Sequence, residues 1–233
     1  MAMPKRAIPV VSVAAALILS QKHITFCACE PPAKLRTEKV KEPFTGVEFP
    51  RLKEDYVLLG TAVRCMLGQC KFAKARAYAV GLYLEDGNNL HQCINKNSND
   101  EVFKQVIEAP VARRLVLVMD KDVAGHHIAK GFDRSLLPCV RKAQGGQRIG
   151  PGKDALREFT HCFNQEKMLY KGTEVSLVWR PDDSLIISIN SSTRAVITSP
   201  MLCHALFDMY LGPDSIFKKY RNMSFTLVEM SDL

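Results

Sequence analysis

The run from Tyr56 to Asp86, YVLLGTAVRCMLGQCKFAKARAYAVGLYLED, constrains the fold of this chain more than any other. Two apolar arms rich in small, β-branched and aromatic residues flank a polar break between Gly68 and Ala73, the pattern of two long strands joined by a turn. Antiparallel pairing symmetric about Lys71 sets Arg64 directly opposite Tyr78, and directly opposed residues share a face of the sheet. In that register Leu58, Gly60, Ala62 and Met66 of one arm lie on the same face as Val80, Leu82 and Leu84 of the other. Arg76 shares the face but sits near the turn, where its head reaches water. An arginine and a tyrosine thus lie together in an apolar strip. A buried guanidinium needs an acid, a carbonyl or a ligand to bind. The reading hangs on the register, because a slip of one residue would turn Tyr78 to the opposite face.

The 233 residues are 47% hydrophobic, enough for one large domain with a full core. The net charge of +8 is scattered, and acids interrupt its densest run, Ala33 to Glu42, which argues for a solvated basic surface and against a nucleic-acid tract. The eight cysteines form no CxxC and no paired zinc spacing, so the sequence predicts scattered reduced thiols, with Cys65 and Cys70 acting as small core hydrophobes. Only Cys27 and Cys29 suggest redox chemistry.

Ahead of the domain, Ala7 to Ser20 is almost wholly apolar, flanked by Lys5, Arg6 and Lys22, with no acid before Glu30. As a helix it would reach about 21 Å, short of the roughly 30 Å hydrocarbon core, though flanking residues could extend it. Residues 1–22 are expected to target or anchor the chain to a membrane, mitochondrial first, with plastid or secretory targeting as alternatives. Residues 23–42, with Pro31-Pro32 and a charged run, are expected to be a linker to a domain spanning 43–233.

Within the domain, Thr45 to Pro50 predicts a short strand, and Asp86 to Asp100 a polar loop leading into a helix that Pro110 stops. Arg113 to Met119 is too apolar to alternate and predicts a strand covered on both faces. Val123 to Ala143 predicts an amphipathic helix ended or kinked at Pro138. The loop Gly145 to Gly152 fails the phosphate-loop pattern, and a helix is expected from Asp154. Strands at Thr173 to Trp179, Ser184 to Asn190 and Arg194 to Thr198 follow, then a helix from Pro200 to Tyr210 and a last basic helix from Ser215. Strands in hairpins with helices interleaved late argue for an α+β domain with an antiparallel sheet.

LLGTAVRCMLGQCKFAKARAYAVGLYLED resembles the signature hairpin of the chalcone isomerase-like family, in which a glycine-containing strand ends in a functional arginine and the next strand follows AxGxYLED. The likeness continues through VFKQVIEAPVARRLVLVM, the helix ending SLLP, the strand pair around Trp179 and LCHALFDMYLG, covering roughly Phe44 to Met223. It implies an open-faced β-sandwich, a large antiparallel sheet against a helical layer, with a ligand cleft between them. The family's arginine falls on Arg64, and the hydroxyl of the next strand on Tyr78, as in its fatty-acid-binding branch. The catalytic tyrosine falls on Phe103, the catalytic asparagine on Pro110, and the late-helix hydroxyl on or near Met209.

Cyclising a chalcone requires a held phenolate and donors for a developing enolate. Phe103 and Pro110 offer no side-chain hydrogen bond, so no catalytic residue is assigned. Arg64 and Tyr78 instead suit a carboxylate head, with an apolar tail in the cleft. A non-catalytic binder of fatty acid or a similar acidic apolar ligand is therefore the leading reading, with no cofactor. The resemblance leaves two alternatives: an intramolecular lyase on another substrate, and haem, with Arg64 pairing a propionate and an axial ligand from His126, His127, His161 or His204. His204 is the best placed of these, on the helix expected to border the cleft. Adjacent His126 and His127 should point apart by about 100°, which disfavours a metal site between them.

Overall fold

The computed structural model describes residues 37–66, 70, 72–85, 98–217 and 225–228, so the apolar segment at 7–20 and the Cys27-Cys29 pair lie outside the described residues. The first two strands, β1 (Lys39–Lys41) and β2 (Glu48–Pro50), pair antiparallel. Lys39 to Lys41, expected in the linker, therefore forms regular structure. Val40 turns inward between two exposed lysines and packs with Phe49. Between the strands the buried Glu42 carboxylate accepts from the backbone N–H and the hydroxyl of Thr45, at 2.7 and 2.6 Å.

After β3 (Leu52–Lys53) come the long strands β4 (Tyr56–Cys65) and β5 (Arg76–Glu85), the central hairpin. Helix α1 (Asn99–Glu108) opens on Ser98, whose hydroxyl accepts from Glu101 N at 3.3 Å, with Asp100 and Glu101 in its positive first turn. Strand β6 (Arg113–Met119) lies where the apolar run predicts it. The Arg113 guanidinium lies 3.5 Å from the centroid of the Trp179 ring and donates to the Val106 and Ala109 carbonyls, tying the end of α1 to the sheet.

Helix α2 (Gly125–Ala143) continues past Pro138, which therefore does not end it. Proline removes one donor, but Pro138 and Arg134 are both exposed, so the Arg134 carbonyl it leaves behind is open to water. Helix α3 (Pro151–Asn164) starts three residues before the expected Asp154, because Pro151 occupies the first-turn position where its missing N–H costs nothing. Strands β7 (Glu174–Trp179), β8 (Ser184–Ile189) and β9 (Ser192–Thr198) form a meander, and α4 (Pro200–Leu211) begins on a Ser199 cap. Of the expected last helix only Ser215 to Phe217 are described, and Ile216 and Phe217 lie in a turn. Strand β10 (Thr226–Leu227) ends the described chain.

All pairings are antiparallel, in the order β10-β4-β5-β6-β7-β8-β9 with β3 also on β4. One sheet face carries the main core with helices α1 to α4, drawing on Leu82, Leu117 and Ile187 against Phe132, Phe159 and Leu206. The opposite face holds a smaller cluster of Phe49, Leu58, Ala79, Tyr83 and Val116 against the β1–β2 side. That second cluster is why β6 reads as apolar throughout: Leu115 and Leu117 point to one core, Val116 to the other. No helix among the described residues is long and apolar enough to cross a membrane.

The start of α2 is fixed by backbone. Val123 and Leu169 exchange hydrogen bonds of 2.9 and 2.8 Å. A Cβ on Gly125 would come within 2.1 Å of the Phe163 carbonyl oxygen and 2.2 Å of that of Glu166. Neither backbone atom can swing away as a side chain would. Gly125→Ala is expected to lower stability by roughly 1–3 kcal/mol, read as a lower urea midpoint with an unchanged slope; an unaltered midpoint would show that this junction is not tight.

Candidate functional site

From Gly60 to Arg64 the register of β4 on β5 is unbroken: Gly60 faces Leu82, Ala62 faces Val80, and Arg64 faces Tyr78. The symmetric register therefore holds where the polar pair stands. It fails on both sides. A shift between Leu58 and Gly60 sends Leu59 into the main core and Leu58 to the opposite face with Phe49 and Tyr83, so Leu58 does not share the face of Arg64. The second shift pairs Cys65 with Arg76, leaving Met66 half out in solvent. Gly60 beside the first shift has a packing cause, since a Cβ there would stand 2.8 Å from the Thr226 carbonyl oxygen of β10.

At the second shift Cys65 and Cys70 form a disulfide with Cα atoms 5.3 Å apart, where free thiols are expected from the sequence. Spacing of five residues carries no disulfide signal by itself; only the reversal of the chain brings the two together. Arg76 is half-buried and does not simply reach into water. It donates to the Cys70 carbonyl at 2.9 Å and to that of Phe44.

A cavity of about 660 Å³ opens between this end of the hairpin and the first turns of α2. Arg64 and Tyr78 line it from the sheet, Ile128 and Phe132 from α2, Met209 from α4, and Ile216 from the turn beyond. Tyr78 is buried, and its hydroxyl lies 2.9 Å from that of Tyr210, one residue past Met209. Burial pushes the Tyr78 phenol up from its ordinary value, and the charge of Arg64 and the bond with Tyr210 pull it partly back. Tyr210 is held well above the ordinary range, chiefly by burial and then by its neighbour Tyr78. Both phenols thus stay neutral at physiological pH. A guanidinium and two linked hydroxyls beside a cavity with apolar groups in its wall can bind an anionic head through charge-assisted hydrogen bonds.

The other sequence candidates separate. Met209 lines the cavity. Phe103 does not: it is buried in the core, edge-on to Phe225 at 5.8 Å. Pro110 is exposed between α1 and β6, outside the lining, because the loop after α1 emerges at the far end of β6. His204, expected to border the cleft, is exposed on α4 with its ring 4.6 Å from Trp179, so it offers no axial ligand to this cavity. Leu202, Cys203, Ala205, Leu206, Phe207, Met209, Tyr210 and Leu211 are buried, so α4 is covered around most of its circumference and His204 lies on its exposed strip. His161 is exposed and bonded to Gln165, while His127 does line the cavity. The rings of His126 and His127 come within 4.1 Å, contrary to the expected divergence, yet the described residues contain no group of three or more potential metal ligands.

Tyr210 is the residue that sequence reasoning missed. Its signal was the helical spacing from Cys203 and Leu206, which puts it on the buried face of α4. For a phenol whose folded pKa is raised, stability is complete below its ordinary value of 10.0 and is lost as pH rises above it. Tyr83, buried on the opposite face, is raised in the same way. Alkaline titration should therefore show tyrosinate absorbance of these three appearing together with loss of the folded circular dichroism. Ionisation complete near pH 10 in a still-folded protein would contradict this burial. Separately, Tyr210→Phe should cost about 1–3 kcal/mol by stranding the Tyr78 hydroxyl, and adding Tyr78→Phe should restore part of it in a denaturation cycle.

The sequence profile described as chalcone isomerase like matches residues 85–225. Fatty-acid-binding protein 2 of Arabidopsis thaliana is 25% identical over 195 residues, covering 76% of this chain and 47% of that protein, so the chain spans about half of that relative's length. Fatty-acid-binding protein 1 of the same plant is 24% identical, over 80% of this chain and 69% of that one. Chalcone isomerase-like protein 1 of Humulus lupulus is 23% identical, over 73% and 81%. The crystal structure of the Arabidopsis fatty-acid-binding protein 1 superposes with a TM-score of 0.63 at 23% identity, covering 79% of this chain and 94% of that one, which shows the fold.

Proposed function

The chain belongs to the chalcone isomerase-like family, and on that premise we propose that it is a non-catalytic binder of a fatty acid or a closely similar carboxylate with an apolar tail. The observation that carries this reading is the Arg64–Tyr78 pair in the wall of a cavity to which Ile128, Phe132, Met209 and Ile216 add apolar surface and Lys121, Lys130 and Arg134 add positive charge. Relatives named as fatty-acid-binding proteins support the same choice of ligand.

The arginine presents a planar fork of donors that fits a carboxylate with two parallel hydrogen bonds. The tyrosines complete the clamp. If Tyr210 donates to Tyr78, the Tyr78 proton stays available for the ligand. The tail gains about 0.8 kcal/mol for each methylene taken out of water, close to fourfold in affinity per carbon. A volume of about 660 Å³ lies within the ordinary range for a site holding one small ligand.

Catalysis is disfavoured by the same inventory. The family's catalytic tyrosine and asparagine correspond by resemblance to Phe103 and Pro110, one packed on Phe225 and the other exposed. Neither can donate to a developing enolate.

Arg64→Ala should weaken binding of a long-chain fatty acid by about tenfold to a hundredfold, the equivalent of roughly 1.5–3 kcal/mol for a charged hydrogen bond, with the fold retained by circular dichroism. The methyl ester of the same acid should bind the unaltered protein about as weakly as the acid binds the variant. Equal affinity for acid and ester would remove the head-group role from Arg64. Turnover of a chalcone by the purified chain would sink the non-catalytic reading.

A further inference from the structure

We propose that the end of the β4–β5 hairpin, where the cavity opens, is a docking surface for an anionic lipid bilayer. The exposed side chains are the first observation. Phe44, Met66 and Phe72 are 44%, 48% and 65% exposed, large apolar groups left in water by a chain that buries most others. They come from separate segments but are gathered at one place. Arg76 bonds the Phe44 carbonyl and the Cys70 carbonyl. Lys121 reaches the Lys74 carbonyl at 2.9 Å and lies 4.0 Å from the Met66 sulfur. Phe72 precedes the short 3₁₀ helix Ala73–Ala75 in that same loop. Met66 also lines the cavity, so these exposed apolar groups stand on segments beside its opening, and exposed apolar groups brought near one another mark an interaction site.

Charge selects the partner. The cavity lining includes Arg64, Lys121, Lys130 and Arg134 against one acid, Asp122. His127, Lys130 and Arg134 follow helical spacing along α2, so the basic row runs beside the opening. Lys74 and Arg76 add to it from the hairpin. Aromatic tips ringed by lysine and arginine are the arrangement that enters an anionic interface, the rings in the acyl boundary and the cations at the headgroups. The surface itself is read from these side chains. That it passes fatty acid between bilayer and cavity rests on the proposed function.

The direct test uses the full chain with Phe72→Trp. The native tryptophan, Trp179, is buried beneath Arg113 and serves as a constant background. Brominated phosphatidylcholine vesicles containing phosphatidylserine should quench the added fluorophore, and high salt should relieve the quenching. Vesicles without phosphatidylserine should quench far less. No quenching at residue 72 would overturn the proposal even if the chain floats with vesicles, since that binding would come from elsewhere.

A second variant, Phe44→Ser with Phe72→Ser, keeps the cavity lining intact. Transfer of a fluorescent fatty acid from protein to phosphatidylserine vesicles should slow about tenfold or more, with affinity in vesicle-free buffer unchanged. A transfer rate equal to that of the unaltered chain, or one independent of vesicle concentration, would also overturn docking. Failure to bind fatty acid in the vesicle-free titration would instead refute the functional reading, while the quenching result still decides the surface.

Discussion

A single stretch of register, Gly60 to Arg64 against Leu82 to Tyr78, puts an arginine and a tyrosine side by side in the wall of the cavity beside α2. Side chains alternate faces along a strand, so one step of slip would exchange the polar pair for its neighbours. Two irregularities bound the stretch and confine it. The bulge at Leu58/Gly60 lets Leu58 serve the cluster under β1 and β2 while Leu59 serves the main core. The shift at Arg64/Cys65 ends regular pairing one residue past the arginine. Beyond it the disulfide and the two carbonyls held by Arg76 take over from the ladder. The charged group therefore stands at the last regular position before the turn, half-buried, where a guanidinium costs less than it would deeper in the sheet.

Much of this was legible in the residues. The strand Arg113–Met119 stands where its apolar run begins and ends, and the pairing of Arg64 with Tyr78 follows from simple symmetry about the turn. Local signals of this kind survive because period and turn position are properties of the chain itself. What failed depended on neighbours distant in sequence. Leu58 changes face because β1 and β2 offer it a second core, which no strand period reveals. Pro138 stays inside α2 because its side of the helix meets water. His204 is exposed with its ring set against Trp179, which also meets Phe207, contacts made across the fold.

The candidate site divides along the same line. Arg64 and Tyr78 came from one hairpin and could be paired from sequence, whereas Tyr210 arrives from α4, 132 residues later in the chain than Tyr78. Its hydroxyl could not be aimed without knowing how α4 crosses the sheet. Yet it alters the chemistry. A lone buried phenol would have to spend its hydrogen bond on whatever lay nearest, while a pair of phenols satisfies itself and keeps one proton to give. Burial then holds both neutral, so donor strength comes from Arg64 and not from ionised tyrosine.

One hairpin thus presents opposite characters at its two levels. On the strands, the polar pair is set inside an apolar surround; in the loop, apolar side chains stand out among cations. An amphipathic ligand lying in the cavity would meet that sequence in order, with an anionic head at Arg64 and further lysines and an arginine toward the opening. Lys121, Lys130 and Arg134 share the cavity wall with Arg64, which favours a carboxylate there more than a purely apolar wall would. The excess of positive charge beside the opening therefore fits both the head group proposed for the cavity and the anionic surface proposed to face it.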